Sequence, residues 1–414
     1  MTQFYLKRDT CRLCGSAQVD IVVPMKPIPL ATPNVGDSAA KDEANRLGLL
    51  VPMDLYLCRD CGHLQILHVI SPEVQYLNFR YTTSISLGLS EHFVRLAREL
   101  MEATHLERGD LVVEVGSNDG TLLRPFQVKG MHVLGIDPAQ AIAETATRNG
   151  IPTLARFFTA ELGREIVAEH GKARVVIANN TMANLDDLSD MIAGIKAVLA
   201  DDGVFVFETS YGADVVRNTL LDTVYHEHLS YFMVRPLQRF FAQHGLVLVD
   251  IQRIWTKGGS IRGFVRLNGR SSAAVADLIA AEERDGLYDD APYERFASAV
   301  AEVRVELAEI VARERAAGRG VAGYGASVGT ITLLHQFDLI DALDFIADDT
   351  PLGDAVEGPG YRISVVPPSQ LLIDRPGVVI ILAWRYADPI IEKNATYSRL
   401  GGRFVIPLPH LSWR

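Results

Sequence analysis

The sequence predicts an α/β protein of three domains, and three observations carry that reading. Two CxxC pairs, Cys11/Cys14 and Cys58/Cys61, mark a small N-terminal unit. Strands and helices alternate from about residue 76, the pattern of a mostly parallel sheet. A second strand-to-glycine turn, Val321-Ala-Gly-Tyr-Gly-Ala326, opens another α/β region after a long helical stretch. A chain of 414 residues is also too long for one core. Boundaries are expected at residues 1–75, 76–265 and 266–414.

In the first region each CxxC turn aims two thiolates at one point. Two such turns complete an all-thiolate tetrahedral shell with no open position, which is a structural zinc site. The 43 residues between the pairs make an unusually long insert. Redox pairs or unrelated buried thiols are the competing readings. In the second region Ser90–Glu102 has helical spacing with Ser90 as N-cap, and Leu111–Gly116 reads as a buried strand entering a glycine turn. Further strands are expected at Val133–Asp137, Ala173–Asn179 and Gly203–Thr209. In the third, one helical stretch over about 275–318 stops at Gly318-Arg-Gly320, and strands are expected at Ala342–Ile346, Gly377–Ala383 and Phe404–Pro407.

Composition narrows the partners. The chain is 48% hydrophobic and 22% charged, ordinary for a globular protein, with net charge -11. A nucleic acid or anionic membrane would want a basic face, so neither is expected. No apolar run approaches the roughly 20 residues of a membrane span, and MTQFYLKRDTCRLC lacks a signal peptide's apolar core. Few cysteines in close pairs suit a reducing compartment. The expectation is a cytoplasmic protein with a small-molecule substrate, as a monomer or homodimer.

Two segments carry chemistry. Glu114-Val-Gly116-Ser117-Asn118-Asp-Gly120 spaces its glycines G-x-x-x-G, with Asp137 following 17 residues after Gly120. A dinucleotide turn would read GxGxxG and pack a pyrophosphate on a helix start. Here Asn118 stands at the second glycine's place. The pattern suits a cofactor with a ribose and a charged amino-acid tail but no pyrophosphate, which describes S-adenosylmethionine. Asp137 would accept from the ribose hydroxyls. Asn179 and Asn180 end a strand where clefts form in open α/β sheets.

Tyr225-His226-Glu227-His228-Leu-Ser-Tyr-Phe232 concentrates groups that move or steer protons. Imidazole suits a general base near neutrality. As a helical turn the segment would put Tyr225 and His228 on one face. Extended, it would pair His226 with His228 instead. Sequence leaves both open, along with a bland role satisfying buried neighbours.

With these pieces in place, the chain resembles the zinc-containing sugar C-methyltransferase family. The match runs through both knuckles, VEVGSNDGTLL from Val113, GIDPA from Gly135, FFTAELG from Phe157 and ANN at Ala178. It continues with YHEHLSYF, RPL from Arg235, GGSIR from Gly258, GYGA from Gly323 and LAWRYAD from Leu382. The resemblance implies that the central and C-terminal domains are Rossmann-like. It implies a structural zinc, S-adenosylmethionine as cofactor, and a nucleotide-linked ketodeoxysugar as substrate, in deoxysugar or antibiotic biosynthesis. His228 would remove the proton beside the ketone, with Tyr225 and Glu227 orienting it or touching the sugar. The cofactor set would be Glu114, Gly116, Ser117, Asn118, Gly120, Asp137, Pro138, Asn179 and Asn180. The substrate set would be Tyr81, His226, Lys257, Arg262 and Tyr324.

Departures fall on the substrate side. Asn184 stands where the family has histidine, Lys257 replaces a histidine before GGSIR, and Arg385 replaces asparagine in LAWRYAD. The C-terminal turn GYGASVGTIT lacks the family's lysine and asparagine. An acceptor other than the common 4-keto sugar is therefore expected. O- or N-methyl transfer is the alternative, and a nicotinamide-dependent oxidoreductase using Gly323-x-Gly325 a weaker one, with Asp348 or Asp349 on the ribose.

Overall fold

The computed structural model describes residues 4–29, 49–79, 81–85, 88–349, 356–357 and 363–414. At its centre is a seven-stranded sheet, ordered Thr153–Leu154, His132–Ile136, Leu111–Val115, Ala173–Asn179, Leu199–Ser210, Ser260–Arg266, Val247–Ile254. The first five strands are parallel, and the last two form an antiparallel pair at one edge. Leu111–Val115 is buried throughout because helices cover both faces of the sheet. Phe93, Leu96 and Leu100 of helix Leu89–Thr104 pack on one face; Ile192 and Ile195 of helix Leu188–Val198 pack on the other. From Leu111–Val115 the chain winds first to His132–Ile136 on one side, then to Ala173–Asn179 on the other. The crevice at this reversal, at the strands' carboxyl ends, is where open α/β sheets bind ligands.

The N-terminal unit is a four-stranded antiparallel sheet ordered Ser230–Tyr231, Leu64–Ile66, Leu55–Cys58, Val19–Val23. Its first strand comes from the YHEHLSYF segment, so the central chain closes the N-terminal sheet. The third sheet is ordered Val356–Glu357, Ser364–Val366, Ile346–Ala347, Val321–Tyr324, Val378–Ile381, Arg403–Ile406, Ser412–Trp413. It is parallel in the middle and antiparallel at both edges. No helix among the described residues is long and apolar enough to cross a membrane.

Three local expectations are corrected. The long helical stretch is two helices, Ala273–Arg284 and Ala291–Ala316, parted at Gly286, whose positive φ of 66° ends the first. Helix Leu89–Thr104 starts two residues early, with Gly88 rather than Ser90 at its cap. The strand expected over Ala342–Ile346 is only Ile346–Ala347, because Asp344 turns back: its carboxylate accepts from Val321 N at 2.9 Å.

Candidate functional site

The four thiols converge as expected. Their sulfurs all lie within 4.8 Å of one another, with Cys11–Cys61 at 3.7 Å and Cys14–Cys58 at 3.6 Å. A tetrahedral ion with Zn–S bonds of about 2.3 Å spaces its sulfurs by roughly 3.8 Å, so the donor set fits zinc. Arg12, inside the first knuckle, is buried and reaches outward. Its guanidinium donates to Leu229 O at 2.7 Å, Ile66 O at 2.8 Å and Gln65 Oε1 at 3.2 Å, and pairs with Asp186 at 3.3 Å. Leu229 O also accepts from Ile66 N at 3.0 Å. The metal unit therefore grips the residue next to His228.

A cleft opens at the sheet reversal. Of the expected cofactor set, Glu114, Gly116, Ser117, Asn118, Asp137, Pro138, Asn179 and Asn180 line it. Gly120 does not; its φ of 76° turns the chain and it packs on Ile151. Gly116 needs to be glycine twice over: φ is 73°, and a Cβ would lie 2.2 Å from Thr181 Oγ1. Both Asp137 oxygens accept backbone hydrogens, from Asn118 N and Ala139 N at 2.9 Å each, leaving further lone pairs toward the cleft. Asn118 spends its amide on the chain opposite. Its Oδ1 accepts from Thr83 N and its Nδ2 donates to Tyr81 O, both at 2.9 Å.

Burial, then the nearby Asp119 and Asp137 charges, push the Glu114 carboxyl well above the usual range. Among the described residues, Glu114 Oε2, Ser117 Oγ and both amide atoms of Asn179 are buried with no hydrogen-bond partner. Unmet donors and acceptors grouped in one apolar-walled crevice fit a ligand carrying hydroxyl, amine and carboxylate groups. S-Adenosylmethionine is such a ligand.

At the far wall the YHEH segment is a turn, closed by His228 N to Tyr225 O at 2.9 Å. That places Tyr225 and His228 together, as the helical-turn reading requires. His228 Nδ1 is 2.9 Å from the carbonyl of Thr223 and must donate to it. The other nitrogen, Nε2, then carries the lone pair and accepts from the Tyr225 hydroxyl at 2.9 Å. Burial first, then the charge of Lys257, pushes the imidazole down to about 3. The ring is therefore neutral across the working pH range. Burial and the Glu227 charge hold the Tyr225 phenol well above its ordinary value, so it stays protonated. Glu227 and Lys257 line the same cleft.

The rest of the substrate set divides. Tyr81 lines the cleft, but His226 is buried and turns away to donate to Pro52 O at 3.3 Å. Arg262 lies under the sheet, committed to Glu208 at 2.7 Å and Glu99 at 2.8 Å. Tyr324 is buried and donates to Asp349 at 2.8 Å. The second glycine turn packs against the segment leading into YHEH: a Cβ on Gly329 would lie 2.1 Å from Asp222 O.

A second cleft lies against the C-terminal domain, where the resemblance implied a contribution to the sugar-nucleotide site; its aromatic wall was not expected. It is walled by Trp255, Trp384 and Tyr386, carries Arg385, Arg414 and His410, and shares Tyr81, Leu89 and Lys257 with the first. Arg385 also pairs with Asp222 at 2.7 Å, tying the C-terminal region to the segment that leads into YHEH. Lys257 and the LAWRYAD segment with Arg385 were the sequence's pointers to it.

Three family models match the chain in order. Residues 11–76 match the model described as "Putative zinc binding domain", 89–251 a methyltransferase domain, and 255–409 a C-methyltransferase C-terminal domain. The C-methyltransferase NovU of Streptomyces niveus is 36% identical over 97% of this chain and 96% of its own. Among solved structures, magnesium protoporphyrin IX methyltransferase of Synechocystis PCC 6803 with bound SAM is 15% identical, covering 44% of this chain and 80% of its own at TM-score 0.33. An S-adenosylmethionine-dependent methyltransferase of Clostridium acetobutylicum is 12% identical, covering 44% and 92% at TM-score 0.35.

Proposed function

We propose, from the premise that this chain belongs to the C-methyltransferase family and is an S-adenosylmethionine-dependent methyltransferase, that its acceptor is a ketosugar carried on a nucleoside diphosphate. The observation that carries this is the continuity of the two clefts through Tyr81, Leu89 and Lys257. One holds a neutral imidazole beside a phenol, suited to proton removal. The other offers aromatic faces for a base and guanidinium groups for a diphosphate. A small keto compound without a carrier would leave that second cleft unused.

When bound, S-adenosylmethionine supplies an electrophilic methyl group. Glu114, Ser117 and Asn179 would hold its polar parts, with Asp137 on the ribose. His228 is the base. On substrate binding, the ketone oxygen takes over the Tyr225 hydroxyl, and His228 Nε2 is freed to accept the α-hydrogen. Thr223 O keeps the imidazole in the tautomer this needs and stabilises the imidazolium afterwards. Glu227, on the same wall, balances that charge. Asn184, half-buried at the cleft, offers a neutral amide where the family pattern has imidazole, so the acceptor ring is expected to differ from the common 4-keto sugar.

The test is incubation with methyl-labelled cofactor and a panel of nucleoside-diphosphate ketosugars, followed by NMR of the product. A new methyl on ring carbon is expected. A methyl on oxygen or nitrogen, or turnover only of keto compounds lacking the carrier, overturns the reading. Ready turnover of the ordinary 4-keto sugar would remove the part resting on Asn184.

A further inference from the structure

Resting on the ketosugar reading above, we infer that Lys257 is a catalytic residue, the cationic half of an oxyanion hole whose other half is the Tyr225 hydroxyl. Three observations place it there. Lys257 is one of the residues common to both clefts, beside Tyr225, Glu227 and His228 in the first. Its backbone sits in the left-handed region at φ 54°, followed by Gly258 at 85° and Gly259 at 133°. A non-glycine residue held there costs about 1 kcal/mol or more, and such strain persists where its surroundings over-determine it. Gly259 is locked in turn, because a Cβ would lie 2.1 Å from Asp214 Oδ2.

The third observation is the ammonium itself. Lys257 is exposed and lines both clefts; among the described residues no hydrogen bond or ion pair engages its ammonium, and Glu227 is the leading opposite charge acting on it. Its charge is felt by His228 and Glu227, and it is itself pressed by Arg385. Arg385 is already paired with Asp222. A cation with no hydrogen-bonded partner among the described residues, on the wall that bears His228 and Glu227, belongs where negative charge develops.

The step balances as follows. The α-C–H bond breaks and its proton goes to His228 Nε2. The electron pair left on carbon forms the C=C bond, and the carbonyl π pair moves to oxygen. That enolate oxygen receives hydrogen bonds from Tyr225 and from the Lys257 ammonium. The same cation that lowers the basicity of His228 lowers the cost of the enolate. The ammonium would bond the oxygen directly and meet the imidazolium only through space, so the favourable term would prevail.

Enolate formation is separable from methyl transfer, which supplies the test. The intact protein, saturated with S-adenosylhomocysteine, is incubated in D2O with nucleoside-diphosphate ketodeoxyhexoses differing in carbonyl position. Hydrogen-deuterium exchange at the α-carbon is followed by NMR. Lys257→Met should slow exchange by about 10²–10³-fold, the usual loss for one oxyanion donor, with KM changed far less. Lys257→Arg should recover part of that loss. S-Adenosylhomocysteine affinity, unchanged in both variants, shows that the fold is kept. Parental exchange rates in Lys257→Met overturn the inference, as does a loss confined to KM, which would make Lys257 a phosphate anchor. If the parent exchanges none of the panel, the ketosugar reading itself falls and this inference with it.

Discussion

Arg12→Met would separate the metal's structural duty from the catalytic one. The replacement keeps the length and apolar stem but removes a buried guanidinium serving Leu229 O, Ile66 O, Gln65 and Asp186. Leu229 O keeps its bond from Ile66 N, so one carbonyl is stranded outright, with an amide oxygen and a carboxylate left under-served. Each buried polar group left without a partner costs about 1–3 kcal/mol, and breaking a buried ion pair about 3–5 kcal/mol. These overlap, because Asp186 is partly exposed and also paired with Arg8. A total near 3–5 kcal/mol is expected by urea unfolding. Zinc content should stay at one ion per chain, since all four thiols remain. S-Adenosylmethionine affinity should hold within a few-fold, because the cofactor residues lie on other strands. Turnover should fall at least tenfold, as the turn bearing His228 loosens. Full turnover in a destabilised Arg12→Met protein would refute the claim that the N-terminal unit positions the base.

Other outcomes follow from the same geometry. Tyr225→Phe leaves Nε2 of His228 without its donor and should lower turnover by about 10²–10⁴-fold while cofactor binding, by calorimetry, is preserved. Gly116→Ala puts a methyl 2.2 Å from Thr181 Oγ1 at φ 73° and should weaken cofactor binding more than it weakens the fold, read by titration and thermal melting. Chelation of zinc should abolish activity together with the N-terminal sheet, seen as protease sensitivity before residue 76. His226 is buried and held near about 4 against 6.5 in the unfolded chain. The unfolded form takes up the proton more readily, so stability is complete above pH 6.5 and declines as pH falls toward 4. By pH 5 His226 alone should contribute about 2 kcal/mol to the loss relative to pH 7, and His226→Gln should be spared that share.

The parts legible in the sequence were those with local chemistry. The CxxC pairs needed only ligand geometry, and Leu111–Gly116 announced itself by unbroken burial before a glycine. The YHEH cluster stood out by density of titratable groups, but its geometry depended on Thr223 O and the turn closed by Tyr225 O, neither of which is a side-chain feature. Arg262 read as a substrate cation because its partners, buried Glu208 and exposed Glu99, are 54 and 163 residues away. Tyr324 and His226 failed to reach the cleft for the same reason: their partners, Asp349 and Pro52, are invisible to local pattern. The aromatic wall of the second cleft was illegible because it joins Trp255 to Trp384 and Tyr386 across a domain boundary.

The turn bearing the proposed base is held from both directions along the chain. Residues 12, 52 and 66 grip it from the N-terminal side, while Thr332 Oγ1 donates to Val224 O at 2.6 Å and Arg385 pairs with Asp222. The consequence concerns folding order. A chain emerging from the ribosome can close the cofactor crevice by about residue 210, from contacts of modest sequence separation. It cannot fix the turn bearing the proposed base until segment 330–385 has been made and docked, a closure spanning more than a hundred residues. Cofactor binding and proton removal should therefore be acquired in sequence during synthesis, with the reactive pair assembled last.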